Sequence, residues 1–357
     1  MEILEAKQAL DKIITKARVH LYKPIQIAEI LYENRINNNI KLADLETYRN
    51  ASKKWRDEVC IRFLGRTSTS SARYQDDLFN ENAIPPQVLA ILGEENRTKQ
   101  GVVEAYIYNQ FEHRFSQMYC CLDYCSTHDV ASFNVKDFIG LFWNEPGLRR
   151  SIDKIYEIVV YSLFSALIES LKVKITIKSD QAKSYLLVEF EDFARRVIGL
   201  TASNHSRTLE AKINRVGVTN AADRGLDMWA NFGMAIQIKH LSLTEELAEN
   251  IVSSVSSDRI VIVCKDSEEK LILSLLTQIG WKSKIQSIIT ENNLIAWYEK
   301  ALRGKYSEEI GAKVLWALKN EIQLEFPVTN GGDFINFKKD RKYNAIKLTG
   351  IWKGSNK

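Results

Sequence analysis

The chain has 357 residues, enough for two domains, because a single hydrophobic core stops growing at roughly 250 to 300 residues. Hydrophobic residues make up 45% and charged residues 26%, the composition of a folded globular protein and not of a long disordered chain. A net charge of +4 permits a polyanionic partner without requiring one.

From Met1 to about Lys172 the apolar residues recur at helical spacing: "ILEAKQALDKIITKA", "PIQIAEILYENRI", "LADLETYRNASKKWRDEVCIRFLG", "VVEAYIYNQFEHRFSQMYCCL" and "IDKIYEIVVYSLFSALIESL". Residues 1–172 are therefore expected to form a mainly α-helical domain. Between the third and fourth helices, "GRTSTSSARYQDDLFNENAIPP" is rich in Ser, Thr and Arg and closes on a Pro pair, as a long exposed loop would. Over residues 173–330 short strands alternate with helices. "VKITIK" is a strand, "LLVEFEDFARRVIGL" a helix, "RGLDMWA" and "MAIQIK" a hairpin, and "LTEELAENIVSSV" a helix with Thr244 as its N-cap. "RIVIVCK" and "KIQSIIT" follow as strands, separated by the helix "SEEKLILSLLTQIG" and followed by "NNLIAWYEKALRG", each helix ended by a glycine. This order predicts an α/β domain with a mixed central sheet. Residues 331–357 hold seven Lys or Arg against two Asp, a basic tail that is either solvated or close to nucleic acid.

The opening "MEILEAKQALDKIITKARVHLY" lacks the pattern of a signal peptide, and the longest apolar stretch, "IYEIVVYSLFSALI", is too short and too polar to span a membrane. Five cysteines, three of them in "CCLDYC", form no spaced disulfide framework. The expected location is the cytoplasm, with no membrane partner.

The hairpin "LDMWANFGMAIQIKH" concentrates the chemistry. With Asn231, Phe232 and Gly233 as the turn, Met228 lies opposite Ile236 and Leu226 opposite Ile238 on the core side. The other face then carries Asp227 opposite Gln237, with Lys239 one diagonal step away, and a slip of one residue would drive Gln237 and Lys239 into the core. An acid, a neutral carbonyl oxygen and an ammonium on one wet face suit metal-assisted phosphodiester hydrolysis. Mg²⁺ takes hard oxygens and commonly only one or two carboxylates, while a lysine orients or deprotonates the attacking water and stabilises the extra negative charge. Glu191, or Glu189, on the preceding helix is the candidate second acid. The same residues also read as an ordinary hairpin face, with an Asp227–Lys239 pair contributing well under about 1 kcal/mol.

The run "FEDFARRVIGL" followed by "ADRGLDMWANFGMAIQIKH" resembles the nuclease core of the PD-(D/E)xK superfamily in its Mrr-like form. Asp223, Gly225 and Asp227 match "D-x-G-x-D", and Gln237 and Lys239 match "Q-x-K". Over most of its length, including "GRTSTSSARYQDDLFNENAIPP" and "QIKHLSLTEELAENIVSSVSSDRIVIVCKD", the chain resembles the HaeII family of type II restriction endonucleases. The resemblance implies a PD-(D/E)xK-like catalytic domain over 173–330, preceded by a mainly helical domain that reads DNA. It implies a Mg²⁺-dependent enzyme cutting both strands of double-stranded DNA at a short GC-rich palindrome with a GCGC core, alongside a companion DNA methyltransferase. A palindrome is most simply read by a homodimer. Asp227, Gln237 and Glu191 would be the metal ligands and Lys239 the catalytic ammonium. Gln237 replaces the superfamily's usual acid, which leaves the metal count and the second ligand open.

A duplex cutter needs phosphate contacts for affinity and base-edge contacts for choice of site. Arg62, Arg66 and Arg73, among small donors such as Ser70 and Ser71, suit guanine edges; Lys53 and Lys54 suit phosphates. A solvated linker and a wet helix face are the alternatives. "PIQIAEILYENRI" with "KLADLETYRNASKKW" has the outline of a helix-turn-helix. His113, Cys120, Cys121, Cys125 and His128 have no zinc-site spacing; the cysteines are read as small apolar residues that are buried, and Cys264 as core. His240 should point away from Lys239. Two rival readings remain: a catalytically inactive DNA-binding regulator with a nuclease-like fold, and an Mrr-like nuclease for modified DNA.

Overall fold

The computed structural model describes residues 2–17, 20–68, 77–145, 148–216, 226–239, 259–266, 269–278, 285–326 and 331–353. The predicted helix "LTEELAENIVSSV" with Thr244, and His240, lie outside them. The described residues of 1–156 and 319–357 form one compact unit, and those of 157–216 and 223–318 form another.

The first unit is helical, as its periodicity requires: α1 (Ile3–Lys16), α2 (Tyr22–Ile36), α3 (Ala51–Leu64), α4 (Pro86–Thr98), α5 (Val102–Thr127) and α6 (Val135–Asn144). α2 is its centre, with every residue from Pro24 to Leu31 buried. The long stretch 37–50 connects α2 to α3, which is not the tight turn of a helix-turn-helix. α4 begins at the Pro pair that closes the Ser/Arg-rich loop; Pro86 at its first position suits a helix start.

Residues 331–353 pack onto this unit and are not a free tail. α13 (Gly331–Asp340) places Phe334 and Phe337 5.2 and 4.9 Å from the ring of Phe63, and Tyr343 and Trp352 are buried in the same core. The aromatic residues go inward, and the segment's charges are partly consumed in doing so. Arg341 donates to both oxygens of the buried Glu29, at 2.6 and 2.8 Å. Tyr343 Oη donates to Glu104 Oε2 at 2.7 Å, Arg35 grips the same carboxylate at 2.9 and 2.8 Å, and Trp352 Nε1 donates to Glu95 at 2.9 Å. Burial pushes the Glu29 carboxyl above the usual carboxylate range, against the pull of Arg341. The boundaries between units consequently fall inside α7 (Ile152–Ser170) and α12 (Ser307–Glu325) and not at residues 172 and 330.

The second unit holds the strands. β3 (Ile213–Arg215), β4 (Met228–Ala230), β5 (Met234–Lys239), β6 (Arg259–Cys264) and β7 (Ile285–Thr290) form one sheet in that order. β3, β4 and β5 run antiparallel, and β5, β6 and β7 parallel, so the sheet is mixed as expected. Both faces of its centre are covered, the normal condition of parallel strands. Ala235, Ile260, Ile262 and Cys264 pack with Ile272 of α10 (Glu269–Gln278) on one side, while Met228, Ile236, Ile238, Val261 and Val263 are buried on the other. α11 (Glu291–Arg303) starts from a capping box between Thr290 and Asn293 and stops before Gly304. Two short strands, β1 (Lys174–Lys178) and β2 (Ser206–Glu210), make a separate antiparallel ribbon. The predicted helix over 186–200 is broken into α8 (Ser184–Glu189), α9 (Glu191–Phe193) and a π-helical turn over Ala194–Ile198, ended by Gly199.

Candidate active site

β4 and β5 form the hairpin in the register the alternation demands, with Met228 paired to Ile236 and Trp229 to Ala235. Gly233 takes φ +90°, and its N–H donates to Ala230 O at 3.0 Å. A side chain there would be strained, so the turn requires this glycine.

The ladder ends at Met228–Ile236, and beyond it the Asp227 carboxylate takes the place of a backbone acceptor. Asp227 Oδ2 accepts the backbone N–H of Ile238 at 2.7 Å and the Nε2 of Gln237 at 2.9 Å. Asp227 O accepts from Val216 N at 2.9 Å, which ties the residue to the strand on its other side. Sequence pairing thus places the acid and the amide as neighbours, and the side chains meet. Leu226 does not stand over Ile238; it packs against the Ala235–Ile260–Ile262 cluster.

The face is not wet. Gln237 is 1% exposed, because it lies beside Ile262 on the side of the sheet that Ile272 helps to cover. Asp227 is half-buried. A carboxylate only accepts, so Gln237 must turn its Nε2 toward Asp227 and its Oε1 away. That Oε1 is buried and has no hydrogen-bond partner among the described residues. A buried acceptor left unpaired costs about 1–3 kcal/mol, and such groups in native proteins call for an unseen water or ion.

Lys239 is the last residue of β5, paired to Cys264, two positions on from Gln237; its side chain lies outside the described residues, as do Asp223 and Gly225. Glu191 Oε1 accepts Ala202 N–H at 3.2 Å, in the turn that precedes β2; Glu189 is exposed. Neither has a hydrogen bond or ion pair to the hairpin among the described residues, and no group of three His, Cys, Asp or Glu side chains converges there. The sequence reading missed Glu157, which makes an ion pair of 3.8 Å with Arg215 on β3, both nearly sealed from water. Its one sequence signal is a lone acid within the apolar run of α7.

Of the residues named for DNA contact, Lys53, Lys54 and Arg62 lie on α3 and Arg66 just beyond its end. Arg66 donates to Leu324 O and Glu325 O at 3.2 and 3.0 Å, capping the last carbonyls of α12. Arg62 reaches Asp333 O at 3.5 Å and lies over the ring of Phe337. Lys54 is exposed and Lys53 half-buried on α3, while Ser70, Ser71 and Arg73 lie outside the described residues. Cys121, Cys125 and Cys264 are buried free thiols and Cys120 is an exposed one.

The sequence profile of the HaeII restriction endonuclease family matches residues 6–343. The type II restriction enzyme HaeII of Haemophilus aegyptius is 68% identical over 343 residues, covering 96% of this chain and 97% of that protein. The type II restriction enzyme NgoBI of Neisseria gonorrhoeae is 59% identical over 345 residues, covering 96% and 98%. No solved structure matches significantly. With the match running nearly end to end at this identity, the chain belongs to the HaeII restriction endonuclease family.

Proposed function

We propose that this chain is a type II site-specific deoxyribonuclease that hydrolyses both strands of double-stranded DNA with Mg²⁺, at a short GC-rich palindrome with a GCGC core. In this reading the second unit is a PD-(D/E)xK-like catalytic domain, the helical unit contributes DNA contacts, the enzyme acts as a homodimer in the cytoplasm, and a companion methyltransferase protects the same site. Family membership supports the reaction class. The single observation that supports the location is the joined pair Asp227–Gln237, with the amide oxygen buried and unpartnered among the described residues.

The residues present fit a hard divalent cation. One carboxylate and one orphaned amide oxygen are the donor types Mg²⁺ accepts, with water and phosphate oxygens supplying the remaining coordination. Asp227 and Gln237 would hold the ion, with Glu191 as the third candidate. Such an ion, when bound, polarises the phosphate and offsets the charge of the leaving oxygen. Asp227 is anchored to β5 by the Ile238 N–H and the Gln237 amide, so its carboxylate is oriented before substrate arrives. Gln237 is held by the same bond with Oε1 turned away from the acid, so joining Asp227 on one ion would require the amide to release the carboxylate and turn Oε1 toward it. Lys239 supplies an ammonium to orient the attacking water, take up its proton when neutral, and stabilise the developing charge on phosphate.

Incubating the purified protein with unmethylated plasmid of known sequence, with Mg²⁺ or with chelator, and mapping the ends tests the reading. Fixed ends within a GC-rich palindrome are expected, and Lys239→Ala should bind but not cut. Binding without cutting by the wild type would favour the inactive regulator. Cutting only of modified DNA would favour the Mrr-like alternative.

A further inference from the structure

Exposed apolar side chains are concentrated in one short stretch of the second unit. Tyr185, Leu186, Val188, Phe190, Phe193 and Val197 are exposed by 44% to 68%, whereas only Leu187 and Ala194 of the same segment turn inward to pack with Leu200. A surface helix normally shows the reverse proportion, and an exposed apolar patch of this density marks an interaction surface. The break at Phe190 does not interrupt the rod. Phe190 N–H donates to Leu186 O and Ala194 N–H to Phe190 O, both at 2.9 Å. Leu186, Phe190 and Phe193 follow one another at intervals of four and three, the spacing of a seam between two helices, and Val197 comes four residues further on, across the π-helical turn.

Charge identifies the occupant. Glu189 and Arg196 are seven residues apart and flank the stripe on the same side. Glu189 has no partner among the described residues; Arg196 donates to Asp192 at 2.8 Å in a pair open to water. When the stripe is laid antiparallel on a copy of itself, Leu186 meets Val197 of the copy and Phe190 meets Phe193. Like flanks then face each other, and Glu189 of each copy comes against Arg196 of the other, twice by symmetry. A parallel pairing would set the flank of Glu189 and Arg196 against the opposite flank of the copy, which carries Ala194, and would leave both charges without a counter-charge across the seam. Duplex DNA is a poor occupant, because the stretch carries Glu189, Glu191 and Asp192 against Arg195 and Arg196.

We propose that residues 184–198 form a two-fold antiparallel helix pair with a second copy of this chain. The inference deepens the homodimer of the proposed function and rests on it for the partner, but not on the assignment of the cutting centre. The apolar stripe supplies the attraction, and the flanking charges select the direction.

The test is the solution mass of the full chain by sedimentation velocity, without DNA or metal. The wild type is expected at twice 41.0 kDa. Phe190→Glu combined with Val197→Glu should weaken dimerisation by at least about 100-fold while circular dichroism is retained. Glu189→Arg and Arg196→Glu should each weaken it several-fold, and the double charge swap should recover most of the loss. The charge series keeps the test decisive if the apolar variant does not fold. A monomeric wild type at tens of micromolar, a dimer indifferent to Phe190→Glu with Val197→Glu, or two weakened single variants without recovery in the double would each overturn the proposal. So would a monomer whose duplex binding is lost on Phe190→Glu, which would assign the stripe to DNA. A dimer that does not cut leaves this interface standing and sinks only the nuclease reading; an active monomer does the opposite.

Discussion

Substituting leucine for Gln237 is expected to separate stability from catalysis. Among the described residues the Gln237 side chain makes one hydrogen bond, from Nε2 to the Asp227 carboxylate at 2.9 Å, while its Oε1 is buried without a partner. A hydrogen bond to a charged group contributes about 1.5–3 kcal/mol, and an unsatisfied buried acceptor costs about 1–3 kcal/mol. Leucine has a similar volume, so it loses the first and removes the second without opening a large cavity. Asp227 keeps the Ile238 N–H at 2.7 Å. The two effects nearly cancel, leaving a net change within about 2 kcal/mol, or less than about 8 °C in Tm. Cleavage should fall by at least about 100-fold, the usual consequence of deleting one oriented polar group at a reacting phosphate. Thermal unfolding of both proteins gives the stability, and the rate of plasmid linearisation in Mg²⁺ gives the activity. A third readout is the rise in Tm on adding Mg²⁺ or Ca²⁺, expected for the wild type and absent in the variant, since a ligand stabilises only the state that binds it. A destabilisation above about 4 kcal/mol would mean that Oε1 was satisfied after all. Cutting at the wild-type rate would mean that the amide oxygen has no part in the reaction.

Three other outcomes follow from the geometry. Trp352→Ala empties a fully buried site and frees Glu95, so it should cost about 3–5 kcal/mol in a urea titration; a loss below about 1 kcal/mol would contradict the packing of residues 331–353. Arg341→Met strands the Glu29 carboxylate and should cost about 3–5 kcal/mol near neutral pH. Because burial raises the Glu29 pKa, the folded chain holds this proton more tightly than the unfolded one; the group's contribution is present in acid and is lost as pH rises through the folded value. The variant's deficit should accordingly grow as pH rises above the usual carboxylate range, and a deficit independent of pH would refute it. Lys54→Ala, on an exposed part of α3, should weaken DNA binding equally at specific and random sites and flatten the salt dependence by about one charge; an altered site preference would show that Lys54 reads bases.

Local patterns carried much of this molecule. The helices of the first unit follow from apolar spacing, and the β4–β5 register follows from alternation plus the cost of burying charge, which is why Met228 meets Ile236 and Asp227 reaches Gln237. Gly233 marked the turn for the same reason, since few residues tolerate its φ. Two strands escaped because β2, "SRTLE", and β3, "INR", do not alternate apolar with polar residues, and α4 escaped behind the polar loop that precedes it.

What only the tertiary structure decided is which surfaces meet water. Alternation places Asp227 and Gln237 on one face of the hairpin, but β6, β7 and α10 determine that this face is enclosed and the Gln237 oxygen stranded. Lysines and arginines made residues 331–353 look solvated, yet four aromatic side chains there fill a core built from α3 and α5. Arg66 could be counted as a cation from sequence, but not found capping α12. Periodicity is a property of neighbours along the chain, within a few residues of one another. Burial depends on segments hundreds of positions away, and hydrophobic attraction, being non-directional, leaves no mark in the sequence of which segment will do the covering.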